Sequence, residues 1–154
     1  MLFFFEWIDT SLLAQISKAY GGVFAIVQTV HLTSLALLGG MIITTDLRLM
    51  NILMRDIPLN IVITNTQRWI NYALIAISLS GIYQMSAVAI KLYYNSFFWS
   101  KMAAFAMGLV FLYAIKLPLL RHKDLSPRLT KLIAAASLTT WFSVAASGRW
   151  IGFS

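Results

Sequence analysis

Four apolar windows govern what this chain can become: residues 22–45, 69–92, 97–119 and 129–150. A hydrocarbon layer about 30 Å thick is crossed by about 20 apolar residues in a helix rising about 1.5 Å per residue. Within hydrocarbon every backbone N–H and C=O must find a partner inside the protein, so each window is expected to be a helix. Composition closes off the soluble alternative. Of 154 residues, 60% are hydrophobic and only 11% charged, whereas soluble domains carry about 25% charged residues. A mean hydropathy of +0.79 points the same way. The expected fold is all-α, an integral membrane four-helix bundle forming a single domain over residues 1–154. With no cysteine in the chain, disulfides, thiolate metal sites and cysteine nucleophiles are excluded.

The opening "MLFFFEWIDTSLLAQISKAY" has no positive leading segment and carries Glu6 and Asp9. It does not read as a cleaved signal. Phe3, Phe4, Phe5, Trp7 and Ile8 suit the headgroup boundary, so residues 1–20 are expected to form an interfacial helix leading into the first window.

Cations give the direction. The net charge of +7 is scattered between apolar runs, which fits headgroups and topology rather than nucleic acid. Arg48, Arg55 and Arg68 flank the first connection, and Lys116, Arg121, Lys123, Arg128 and Lys131 flank the third. The other side holds Lys18, Lys91, Lys101 and Arg149. By the positive-inside rule both termini are expected outside, which in a bacterial inner membrane is the periplasm. Pro58, Pro118 and Pro127 break the connections, and Ser126–Pro127 has the form of a helix start.

Counting inward from the expected periplasmic ends brings four distinctive side chains to one depth. His31 lies roughly 14 Å down, and Gln84, Met107 and Trp141 fall at a similar level in the other windows. Gln28 sits three positions before His31 on the same helical face. Intramembrane polar groups often mark function, so these five residues outline a haem b or quinone pocket. The alternative is a structural hydrogen bond from His31 to Gln84 or to a backbone carbonyl. His122 lies about 20 Å from His31 along the membrane normal, too far to share one iron. A His31–Met107 haem stays open. His122 itself reads as a loop residue at the boundary.

Other positions carry weaker chemistry. Met50 and Met54 stand four apart, a spacing that suits either Cu(I) or apolar packing. Asp46 and Arg48 close the first window and are expected to pair with another helix or a headgroup. Lys101 and Arg149, at the opposite boundary, suit phospholipid, cofactor carboxylates or an acidic partner. Gly39, Gly40, Ser78 and Gly81, and the stripe Ala136, Thr140, Ser143 and Ser147, permit close helix approach. There is no glycine-rich phosphate loop, zinc histidine pair or nucleophile elbow, and no catalytic residue is assigned.

The succession of His31, Gly39–Gly40, "DLRL" at Asp46–Leu49, "NSFFWSK" at Asn95–Lys101, Ser137, Trp141 and "GRWIG" at Gly148–Gly152 resembles a known family. It consists of small bacterial inner-membrane proteins of undetermined function, similar at a distance to copper-resistance-D-like membrane proteins. The resemblance implies a four-helix fold and draws attention to His31, Asp46, Arg48, Lys101 and Arg149. Three roles are thus expected. The first is an accessory subunit packing into a larger membrane complex, with lipids and other subunits or a second copy as partners. The second is an electron-transfer subunit with haem b or quinone at His31, and the third a copper-handling membrane protein.

Overall fold

The computed structural model describes residues 2–121 and 125–151, and all secondary structure within them is helical. The order is α1 (Leu2–Asp9), α2 (Leu12–Ala19), α3 (Gly21–Leu49), α4 (Leu59–Ala87), α5 (Ala89–Tyr93) and α6 (Ser96–Val110). A π-helical turn at Phe111–Lys116 leads into α7 (Leu117–Arg121), and α8 (Pro127–Trp150) ends the described chain. Gly21–Leu49, Ser96–Leu120 and Pro127–Trp150 are each long and apolar enough to cross a membrane. These three match the windows at 22–45, 97–119 and 129–150. The chain has the helices of a membrane protein.

The window at 69–92 is built differently. Its helix, α4, starts at Leu59 and stops before Val88, whose φ of −137° and ψ of 33° break it from α5. The Pro58 carbonyl accepts from Ile61 and Val62 N–H, so helix begins directly after the proline. Within the polar run "TNTQR" the Thr66 hydroxyl is satisfied inside the helix, donating to the Val62 carbonyl at 2.8 Å. Although as long as α3, α4 has no stretch apolar enough to place it among those three helices. Asn71, Ser78, Ser80, Gln84 and Ser86 dilute it.

The N-terminal segment is two short helices, not the one expected. Ser11 causes the break, donating to the Ile8 carbonyl at 2.6 Å while capping α2 through Ala14 N–H at 3.3 Å. A side chain that competes so well for backbone groups favours a helix end over a helix interior.

Contacts divide the chain into two units, one comprising the chain up to Leu38 with Trp69–Asn95, the other Gly39–Arg68 with the chain from Ser96 onward. In the first, α1 packs on α5 through Phe5 and Tyr93, whose rings lie 5.3 Å apart. Ala14, Ala89 and Ser86 are buried there. In the second, α6 lies along α8, and Ile42, Leu112, Ile133, Ala134 and Val144 form the interior.

Two local devices shape the second unit. Helix α3 closes with Ile52 N–H bonded to the Leu47 carbonyl and Asn51 N–H to that of Arg48. Asn51 adopts the left-handed φ of 60° that this Schellman closure requires. Arg48 then pins the following loop by donating to the Ile57 carbonyl from Nε and Nη2, at 3.0 and 2.9 Å. Because α3 ends at Leu49, Met50 and Met54 do not share the helix face their spacing suggested.

The second device is the π turn. Pro118 has no N–H and its ring crowds the carbonyl four residues back, so the α ladder cannot run through it undisturbed. The widened turn, with Leu117 N–H reaching the Leu112 carbonyl, accommodates it. Such turns in membrane helices re-satisfy the backbone and recur at functional sites.

Candidate functional site

The widened turn aims Lys116 inward. Gly108, Leu112 and Lys116 are all buried. A regular helix drifts about 40° every four residues, and the π turn brings Lys116 back onto the buried face. There its ammonium donates to Asp46 Oδ1 at 2.5 Å and to Ser137 Oγ at 3.1 Å. Lys116 is 1% exposed, and Asp46 and Ser137 are 0% exposed. Each of the three apolar helices therefore contributes one side chain to a single buried cluster. Beside it, Thr45 Oγ1 donates to Thr66 Oγ1 at 2.9 Å, tying α3 to α4.

The electrostatics of this cluster favour closure. An isolated charge in hydrocarbon costs several kcal/mol or more, but an ammonium and a carboxylate in contact present no net charge. Asp46 Oδ2 has no hydrogen-bond partner among the described residues, so the cluster retains one acceptor. For Asp46, which the sequence left to another helix or a headgroup, the structure gives Lys116 as partner. Arg48 does not join it, since its guanidinium serves the loop carbonyls. Lys116 was counted as a boundary cation; the legible signal against that reading was Pro118, two positions on, inside an apolar window.

His31 is buried in the first unit. Ser80 lies across from it on α4, with Oγ 2.8 Å from His31 Nδ1. The Ser80 hydroxyl is also 2.5 Å from the Ala76 carbonyl, so its single hydrogen goes there and its oxygen accepts from Nδ1–H. The network thus assigns the proton to Nδ1 and the lone pair to Nε2. The ring also lies against Gly81, where a Cβ would stand 3.5 Å from His31 Cε1, in ordinary van der Waals contact. The serine partner replaces the expected Gln84, which instead donates to the Ser80 carbonyl at 3.4 Å. Gln28 is exposed, so it does not share the buried site of His31. A His31→Ala, Ser80→Ala double-mutant cycle should give a coupling of about 0.6 kcal/mol and no more than about 1.7, read by unfolding in mixed micelles.

The remaining candidates lie in the second unit. Met107 is 62% exposed and faces outward, an unsuitable position for an axial haem ligand. Trp141 is buried, with its ring 3.4 Å from where a Gly108 Cβ would stand and edge-on to Phe105 at 6.1 Å. Its Nε1–H has no partner among the described residues. Lys101 is half-buried with its stem laid over Gly148, and Arg149 is exposed. Among the described residues, no three His, Asp or Glu side chains gather as a metal-binding group. His122 and Lys123, read as boundary residues, and Gly152 of "GRWIG" fall outside the described residues.

No curated protein and no solved structure matches this chain. Residues 4–154, nearly the whole length, match DUF6644, a family of unknown function, and the chain belongs to that family.

Proposed function

We propose that this protein is an accessory subunit of a bacterial inner-membrane complex and docks on another membrane protein through the small-residue face of α8. The observation that carries the reading is the exposure of that face. Ala136 and Ser143 are exposed and Thr140 and Ser147 half-buried, so much of the stripe is not consumed by packing within the chain. The hydroxyls of Thr140, Ser143 and Ser147 turn back onto the carbonyls of Ala136, Thr139 and Ser143, keeping the surface shallow. Lipid tails are as apolar as leucine, so close backbone approach and dispersion drive helix association there. Helix α3 adds exposed Thr33, Ala36 and Gly40 at helical spacing.

In this reading α4 is the fourth span. Ile75, Leu79 and Ile82 are exposed on one side of it, while Ala73, Ile77 and Ser80 are buried on the other. An apolar outer face around one internally bonded hydroxyl is an arrangement lipid tolerates. The exposed Phe3, Trp7 and Leu12 keep α1 and α2 at the headgroup level, and both termini lie in the periplasm. Lys116, neutralised by Asp46, drops out of the charge count, yet the side carrying Arg48, Arg55, Arg128 and Lys131 keeps the excess. A membrane-impermeant maleimide should label Lys91→Cys in intact spheroplasts and Arg55→Cys only after permeabilisation.

The deciding experiment is affinity isolation from native membranes in mild detergent. A stoichiometric membrane protein should co-purify with the parent and be lost from Ala136→Leu/Ser143→Leu, which fills the shallow face. Recovery of a lone monomer from the parent would end this reading. A second reading, a haem b or quinone site, is favoured by the oriented His31 ring, because a hydrogen bond at Nδ1 is the usual support of a ligating Nε2. A reduced-minus-oxidised spectrum with Soret and α bands, lost in His31→Ala, would establish the haem form of it.

A further inference from the structure

Where α3 ends and α8 begins, a groove of about 670 Å³ is lined by Met50, Ile52, Arg128, Lys131, Leu132 and Ala135. We propose that this groove holds one anionic phospholipid, its phosphate between Arg128 and Lys131 and an acyl chain along Met50, Ile52, Leu132 and Ala135. The spacing of the α8 residues carries the assignment. Positions 128, 131, 132 and 135 recur at the three- and four-residue intervals of one helix face. The two cations stand at the outer end of that face, beside Ser126 and Pro127, and the apolar pair follows one turn deeper into an apolar helix. Charge outside and hydrocarbon inside is the polarity of a phospholipid entering from the boundary.

The site is built on both walls. Ile52 is held by its N–H bond to the Leu47 carbonyl, and the loop beyond it is pinned by Arg48. The opposite wall is the first two turns of α8, where Ser126 Oγ caps Leu129 N–H at 3.3 Å. The N-terminal end of a helix dipole adds to the field of the two side chains. No carboxylate is among the described lining residues, and an anionic headgroup would supply the counter-charge. A free phosphate would satisfy the cations but leave the apolar walls unused.

The test is native mass spectrometry of the purified full chain in detergent, titrated with phosphatidylglycerol or phosphatidylcholine of identical acyl chains. The parent should retain one phosphatidylglycerol, bound about tenfold or more tightly than phosphatidylcholine, because each basic residue near an anionic headgroup contributes about a factor of five. Arg128→Gln/Lys131→Gln should abolish that preference, while Lys91→Gln, an exposed cation on α5, should leave it intact. Circular dichroism confirms that each variant is folded. Equal retention of the two lipids by the parent, an unchanged preference in the double variant, or full displacement of the lipid by millimolar inorganic phosphate would each overturn the proposal.

Discussion

Lys116→Met is expected to destabilise the protein by about 3–5 kcal/mol, because it strands the Asp46 carboxylate in a site with no access to water. The methionine nearly matches the lysine stem in volume, so packing is retained and the loss comes from the uncompensated charge. Asp46→Leu alone should cost a similar amount by stranding the ammonium. The informative variant is the double one. Replacing both partners removes both desolvation penalties, and buried ion pairs exchanged for apolar groups are often neutral or more stable. Asp46→Leu/Lys116→Met should therefore recover most of what either single change loses, with a coupling of several kcal/mol in the cycle. Unfolding by rising dodecyl sulfate in mixed micelles, followed by far-ultraviolet circular dichroism, measures all four corners. Additive single effects would show that the two charges do not depend on each other.

Gly108→Leu should be the next most damaging change, at about 1–3 kcal/mol from overpacking. A Cβ added at this position would stand 3.4 Å from the Trp141 ring and 3.6 Å from Thr140 Cγ2. Gly108→Ala therefore meets ordinary contact and should be tolerated within about 1 kcal/mol, also gaining helix propensity. Leucine must push the indole from its place between Gly108 and Phe105, separating α6 from α8. Because Met107 beside it faces outward, Met107→Leu is the control and should change little. Melting of the three variants, together with the emission wavelength of the tryptophans, distinguishes a displaced indole from a general loss of structure.

Much of the helical layout was readable in the chain, and the reason is local. Apolar runs near twenty residues, with Ser126–Pro127 at one start and Pro58 as a breaker, act through backbone hydrogen bonding and proline sterics within a few residues of themselves. Thus α3, the helix from Ser96, and α8 stand where the hydropathy placed them. The misplaced boundaries have equally local causes that composition conceals: Ile61 and Val62 N–H bond to the Pro58 carbonyl, so α4 starts at Leu59, and Ser11 splits the N-terminal segment.

The candidate site was only half legible. His31 announced itself as a lone imidazole in an apolar run, but its partner, Ser80, is one of several serines in α4, and only the helix packing over Gly81 selects it. Asp46 was conspicuous for its charge, whereas Lys116 looked like one more boundary cation, because hydropathy records a charge without recording its direction. By itself the sequence determined that the chain is helical and apolar enough for a membrane, since a continuous apolar run of about twenty residues satisfies its own backbone in hydrocarbon only as a helix. Which polar groups meet was decided by the tertiary structure. A π turn before Pro118 rotates Lys116 inward, where the Asp46 carboxylate neutralises its charge and the Ser137 hydroxyl accepts a further hydrogen bond.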